Sequence, residues 1–439
     1  MQIKSMWISR PEFLAVFVAM TAMSFGTSVI SPLLGTMRAE FGVSYAVLGL
    51  LPSMPTLARV VANLPSGLLA DRFPARVSVS GGALAMLLGS LVVLAAPNFG
   101  VVLAGLFLAG SGTALTWTGG ITDITRRSPQ GTRGKVTTRM LAGVQLGSFL
   151  SPVAGGLLAS AFGWRAAFIL TAATGAVVAA LAWAVLRAPA HATTGSHTER
   201  ARRPSLASVS LTATVLTVVA LSVLVWGGTF GMKNVLVPLY VSEALQLDPR
   251  GVGLMVSIAA GLRVVVMFLS GNVLDRIGRG RALVFATLTS AAGALTLLAP
   301  PHLALYGLFA GLYALGGLAT ALPPLLIADR VPSERLGRSM AGMQFLTDLV
   351  LMGVPPLLGL ILDRSGFGLA GIATAAAFVA AALVGPSIVR PRPLPTPRPV
   401  HADDGESSRG GFPQAKARGG SVTAIPSVLE PPVPPPSAG

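Results

Sequence analysis

Long apolar stretches recur along most of this 439-residue chain, and the short segments between them carry most of its lysine and arginine. A hydrocarbon layer about 30 Å thick is crossed by about 20 apolar residues in a helix. Helices and closed barrels alone satisfy their backbone polar groups in such a layer. The pattern predicts twelve spanning helices, near 13–37, 45–70, 77–96, 99–124, 136–160 and 166–186 in the first half. In the second half they fall near 208–241, 250–274, 282–299, 302–327, 338–362 and 367–389. Segment 187–207 reads as a basic polar linker, 1–12 as a short N-terminal segment, and 390–439 as a proline-, glycine- and serine-rich tail expected to be disordered. The first span is preceded by Lys4 and Arg10, as a signal peptide would be. It is longer than a signal core and lacks a small-x-small cleavage site, so it is retained as a helix.

With the N-terminus inside, 25 of the 32 lysines and arginines fall on the cytoplasmic side. External loops hold Arg38, Arg165, Arg250 and Arg364, and spans hold Arg59, Lys233 and Arg263. This lopsided distribution obeys the positive-inside rule and predicts a multi-pass protein of the cell membrane with both termini cytoplasmic. Hydrophobic residues make up 52% of the chain and charged ones 11%, against about 25% charged in soluble domains. The net charge of +16 is spread in clusters between apolar spans rather than gathered on one stripe, which argues against nucleic acid as a partner. Cysteine is absent and none of the four histidines (191, 197, 302 and 401) lies in the interior of a span, so neither a metal nor another cofactor is expected. No phosphate-binding loop, nucleophile elbow or paired catalytic carboxylate is present, and the chain does not read as an enzyme.

Two intramembrane arginines are the most informative charges. Arg59 lies within RVVANLPSGLLADRFPAR and Arg263 within RVVVMFLSGNVLDRIGRGR, 204 residues apart and each twelve residues ahead of an Asp-Arg pair. A cation in an apolar span costs roughly 2.5 to 3.5 kcal/mol on insertion scales and marks a functional site by default. At 1.5 Å per residue each lies about 18 Å from its Asp-Arg pair, near the bilayer centre. The repeat extends further: SPLLGTMRAEFGVS (31–44) resembles VPLYVSEALQLDPR (237–250), and DITRRSPQGTRGKV (123–136) resembles DRVPSERLGRSM (329–340). Two parallel six-helix halves, 13–186 and 208–389, with a site between them near the midplane are a transporter architecture.

On these residues the chain resembles the major facilitator superfamily over 13–389. The family's loop motif after the second span, Gly-x-x-x-Asp-Arg-x-Gly-Arg-Arg/Lys, is matched by Gly67, Asp71, Arg72 and Arg76, with Pro74 and Ala75 departing from it. The second copy, Gly271, Asp275, Arg276, Gly278 and Arg279, is closer. The resemblance implies an all-α membrane fold of two pseudo-symmetric six-helix bundles, and a conformational latch at these loops. Asp71 at a helix end can pair with loop arginines or a neighbouring helix N-terminus; the bland alternative is that these charges only enforce topology. A fifth-span motif of the family's proton-driven exporters, Gly-x-x-x-Gly-Pro-x-x-Gly-Gly, is met by Gly147, Ser151, Pro152, Gly155 and Gly156. Ordinary small-residue packing accounts for it equally well. The basic residue that such exporters carry in the fourth span is here Leu106, ahead of Gly110 and Gly112.

The resemblance also brings the second and eighth spans to a central cavity, where Arg59 and Arg263 would grip one anion bidentately as substrate-binding residues. Family members that carry nitrate, nitrite or small carboxylates use intramembrane arginines in this way, although the glycine-rich nitrate signature is not evident. Asp348, ten residues past Arg338, is the one acid deep in a span. It is expected to pair with Arg59 across spans two and eleven, so that an arriving anion competes with it and couples proton movement; a static ion pair is the rival account. Lys233 reads as snorkelling outward from span seven, with contact to an anion the lesser option. Trp117, Gln145 and Gln344 are further candidates for lining the cavity, though packing explains them as well. The leading reading is a secondary active transporter of a small organic or inorganic anion, by proton coupling or exchange. A proton-coupled exporter of drugs or amphipathic compounds is the alternative, and a non-transporting receptor or scaffold the weaker one.

Overall fold

A computed structural model describes residues 11–128, 133–186, 213–269, 277–328, 331 and 333–389. The linker (187–207) and the tail (390–439) lie outside these residues, as do Gly271, Asp275 and Arg276. Among the described residues, helix α1 spans Pro11–Phe41, with one 3₁₀ turn at Ser31–Leu33 where Pro32 interrupts the regular ladder. Helix α2 (Leu50–Arg72) is preceded by a single turn, Tyr45–Leu48, that Ser44 caps by accepting from the Val47 amide. Then follow α3 (Ala75–Leu94), α4 (Phe99–Arg127), α5 (Arg133–Phe162) and α6 (Trp164–Val185). The second half repeats the order with α7 (Leu216–Ala244), α8 (Pro249–Leu269), α9 (Arg279–Leu295) and α10 (Leu303–Ile327). The last two helices, α11 (333–365) and α12 (367–389), run on through Val354–Val389 and are divided at Gly366.

Gly366 sits at φ 70°, ψ −171°, and its counterpart Gly163, between α5 and α6, at φ 83°, ψ 161°. This region is open essentially to glycine alone. Nothing stands within 4 Å of where a Cβ would be at either position, so the demand is purely on the backbone. Gly163→Ala and Gly366→Ala are each expected to cost about 1 to 3 kcal/mol, read as a lowered unfolding midpoint of the purified protein. A related difference explains the departure from the loop motif at Pro74. Gly278 opens α9 at φ 83°, whereas Pro74 opens α3 at φ −57°, ψ 150°, a conformation proline's ring favours.

Large apolar side chains such as Leu84, Leu88, Ile169, Val177 and Leu383 are exposed on the outside of the bundle, as lipid-facing residues are. Inside, the core is asymmetric across the layer. On the far face, opposite the start of α1, one continuous core joins the halves, with Leu33, Leu48 and Leu51 packed in the same cluster as Leu236, Val256 and Phe378. On the near face each half keeps its own core: Val16, Met20, Val79 and Met140 in the first, Leu221, Leu283, Leu322 and Met343 in the second. The halves are thus sealed together on the far face and separate on the near one.

Small residues make the seal. A Cβ on Gly156 of α5 would stand 2.3 Å from the Pro249 carbonyl oxygen of α8, and one on Gly253 2.1 Å from that of Pro152. The symmetry-related contact joins α11 to α2: a Cβ on Gly359 would lie 2.1 Å from the Tyr45 carbonyl oxygen, and one on Gly49 2.5 Å from that of Pro355. Backbone therefore touches backbone at two places related by the internal repeat. The other fifth-span motif residues serve a different neighbour. Gly147 and Gly155 pack on α1, and the Ser151 hydroxyl donates to the Phe25 carbonyl at 2.6 Å.

Polar groups reinforce the far face. Arg38 of α1 pairs with Glu243 of α7 at 3.2 Å and lies 3.8 Å over the Tyr45 ring, whose hydroxyl also bonds Glu243. Asp363 of α11 accepts from the Tyr45 and Ala46 amides at 2.8 and 2.9 Å, capping the turn that leads into α2.

Candidate functional site

Between the halves lies a cavity of about 700 Å³. Its lining includes all seven positions singled out from the sequence for the central site: Arg59, Trp117, Gln145, Lys233, Arg263, Gln344 and Asp348. It begins beneath the sealed face, at Ser28, Pro52 and Val256, and continues past Asn63, Leu141 and Met267 toward the near face.

Arg59 comes from the middle of α2 and Asp348 from α11, so the pair crosses between the halves. Arg59 Nη2 lies 3.1 Å from Asp348 Oδ1, and Gln344, one turn earlier on α11, donates to the same oxygen at 3.2 Å. The Asp348 side chain is 4% exposed and the Arg59 side chain 38%, so the arginine is the partner within reach of anything entering the cavity.

Arg263, at the repeat-equivalent position on α8, is held differently. Its Nη1 donates to the Tyr313 hydroxyl at 2.8 Å and its Nη2 to the Thr320 hydroxyl at 3.0 Å, with the Tyr313 ring 5.0 Å away. Both partners come from α10, where the helix tightens into a 3₁₀ stretch at Gly317–Ala321. Gly317 leaves room for the arginine: a Cβ there would meet Arg263 Cγ at 2.7 Å. Among the described residues Arg263 has no acidic partner.

The internal repeat explains this asymmetry. Pro152, Gly156 and Gly163 of α5 correspond to Pro355, Gly359 and Gly366 of α11 at a constant separation of 203. The same separation puts Gln145 opposite Asp348. Where α11 supplies a carboxylate to the first arginine, α5 supplies a neutral amide near the second.

Lys233 departs from its expected outward snorkelling. It lines the central cavity and is close enough to Arg263 for the two positive charges to interact. It lies in a π-helical turn, Met232–Leu236, a feature that recurs at functional sites. Among the described residues it makes no ion pair and no hydrogen bond. Among the described residues the lining thus carries three cations and one carboxylate, and that carboxylate is already paired with the first arginine.

Sequence reasoning passed over Tyr313, Thr320 and Trp226, whose indole N–H donates to the Thr320 carbonyl at 2.9 Å. The double glycine at 316 and 317, within an otherwise apolar span, was the available signal. Of the loop motifs, Gly67, Asp71 and Arg72 fall on the last turns of α2 with their side chains outside the described set. Arg76 at the start of α3 lies 5.1 Å over the Trp183 ring of α6, a cation–π contact within one half. Gly278 and Arg279 open α9.

Comparison with known proteins follows the geometry. The family model described as Major Facilitator Superfamily matches residues 16–233 and 219–433. The chain belongs to the Major Facilitator Superfamily. Among solved structures, a bacterial homologue of the human lysosomal transporter Spinster, in an inward-facing and occupied conformation, is similar with a TM-score of 0.70 at 16% identity. The match covers 86% of this chain and 96% of that one. The xylose transporter XylE from E. coli, in an inward-open conformation, is similar with a TM-score of 0.68 at 16% identity, covering 86% and 95%. These likenesses establish the superfamily fold, twelve helices in two pseudo-symmetric bundles. Among curated proteins, sodium-dependent phosphate transport protein 3 of Mus musculus is 30% identical over 153 residues, which is 34% of this chain and 32% of the relative. A multidrug resistance protein B homolog of Mycobacterium tuberculosis is 29% identical over 148 residues, 34% of this chain and 27% of the relative. The chain thus spans about a third of the length of the curated relatives it matches. This superfamily member is a multi-pass integral membrane protein whose fold is that of transporters rather than enzymes.

Proposed function

We propose that this protein is a secondary active transporter that moves an anion across the membrane by alternating access, with both termini cytoplasmic and the cavity open to that side. The observation that carries this reading is the charge inventory of the cavity. Arg59, Lys233 and Arg263 face it with Asp348 as their sole counter-charge among the described lining residues. Uncompensated cations in a low-dielectric span are expensive and persist where a ligand neutralises them. That a phosphate transport protein is among the relatives accords with anionic cargo. Substrate binding is assigned to Arg59 and Arg263, in keeping with the fork geometry that arginine offers carboxylates and oxyanions.

Energy for uphill movement comes from an ion gradient, with Asp348 as the proton-coupling residue. An anion reaching the exposed side of Arg59 competes with Asp348 for it, and the released carboxylate, 4% exposed, then takes up a proton rather than remain charged in an apolar setting. Asp348→Asn fixes the neutral form. It is expected to abolish gradient-driven accumulation in proteoliposomes while leaving substrate exchange between equal compartments intact. Accumulation at the unmodified level would reject the coupling role. The exporter alternative rests on the fifth-span motif and on the multidrug relative. In this geometry the motif residues serve helix packing, with no polar group of theirs in the cavity except through the neighbouring Gln145 and Ser148.

A further inference from the structure

Accepting the anion-transport reading, we infer that the cargo is an organic carboxylate with an aromatic or bulky apolar body, its charged end captured by Lys233 and Arg263 in the second half before it competes for Arg59. Three features of the cavity support this. The first is size: about 700 Å³ lies within the range of cavities that enclose drug-sized organic molecules, and a bare oxyanion would fill a small fraction of it. The second is lining. Trp117, Trp226 and Phe230, each partly exposed, bring aromatic surface from α4 and α7 to the same space as the charges, with the buried Phe309 and Tyr313 of α10 behind them. Aromatic side chains of this kind gain from stacking against flat apolar groups.

The third is where the unneutralised charge resides. Arg59 is engaged by Asp348, whereas Arg263 is oriented by two hydroxyls and Lys233 has no partner among the described residues. Tyr313 and Thr320 fix the guanidinium through its two terminal nitrogens without cancelling its charge, so it is a held and still positive group. The π-turn at Met232–Leu236 carries Lys233, which lines the same cavity. Two cations that line one cavity in an apolar span repel each other, and a carboxylate between them relieves this. Gln145 is then the residue that keeps this half available: a carboxylate there, as at its counterpart Asp348, would occupy Arg263 from within.

The test is thermal stabilisation of the purified full-length protein by 1-naphthoate, benzoate, inorganic phosphate, nitrate and the neutral 1-naphthalenemethanol. The inference expects 1-naphthoate to stabilise at concentrations where phosphate and nitrate do not. Lys233→Gln and Gln145→Asp should each weaken that response at least tenfold, and Gln145→Asn, which adds no charge, should weaken it less than Gln145→Asp does. Equal or tighter binding of phosphate or nitrate would overturn the organic class while leaving anion transport standing. Equal stabilisation by the neutral alcohol would overturn the anionic reading itself. Unchanged naphthoate binding in both Lys233→Gln and Gln145→Asp would remove the charged end from this half of the cavity.

Discussion

Arg59→Ala is expected to lower stability by about 3 kcal/mol, a value near the lower end of what removing one partner from a buried ion pair costs. The lower end applies because Arg59 is 38% exposed to the cavity, whereas Asp348, 4% exposed, would lose its cation and keep Gln344 as its remaining donor, so that either its charge or the proton it takes up carries a cost. The protein is expected to lose transport together with stability. A second substitution separates the two effects. Adding Asp348→Asn to Arg59→Ala removes the orphaned charge and should restore most of the unfolding midpoint, yet transport should stay absent because the cation that meets the anion is still missing. The cycle of wild type, two single variants and the double variant measures the coupling between the two side chains. Additive effects on the unfolding midpoint would show that the pair is not the stabilising unit described here. Recovery of transport in the double variant would show that Arg59 serves only to neutralise Asp348.

How much of this was legible beforehand differs from residue to residue. Arg59 and Asp348 could be matched because each is unusual in its own span, and the family's arrangement of spans two and eleven supplied the proximity. The twelve-helix count could be read as well, although one apolar run, Gly342–Gly385, contains the junction of the last two helices. Only the backbone angles of Gly366 divide it. Lys233 was read two ways, outward snorkelling or cavity lining, because regular α-helical spacing carries it toward the far end of its span; two π turns at Met232–Leu236 and Tyr240–Ala244 change which face each residue presents. The equivalence of Gln145 and Asp348 was hidden by the register itself. The arginines repeat at 204 and helices α5 and α11 at 203, a one-residue difference that turns through 100° on a helix. Partners such as Tyr313 and Thr320 read as ordinary span residues, because neither bears a charge that would distinguish it in an apolar sequence.

Gly156→Val and Gly253→Val are expected to have the largest effect on conformation. Each glycine meets a carbonyl oxygen of the other half at a distance no Cβ can share, 2.3 and 2.1 Å, and backbone cannot yield as a flexible side chain can. The sealed far face should therefore open, while helix α5, which packs on α1 through Gly147, Gly155 and Ser151, should keep its place in its own half. The absence of cysteine makes this directly measurable, because a single introduced thiol reports without background. Val256→Cys sits just beneath the seal and lines the cavity. A membrane-impermeant thiol reagent applied from the far face should label it slowly in the otherwise native protein and at least tenfold faster with either valine present. The related contact at Gly49 and Gly359 gives an independent check: Gly359→Val should act in the same direction, since it strikes the Tyr45 carbonyl beside the Arg38–Glu243 pair. Labelling rates that stay at the native level in all three variants, with the protein still folded by its unfolding midpoint, would mean that the glycines are not what holds the halves together. Transport should fail as well, because a carrier that cannot reseal one face cannot complete its cycle. The same variants should bind anion with little change and fail to accumulate it, which separates the gate from the Arg59 and Arg263 site, where binding itself is expected to fail.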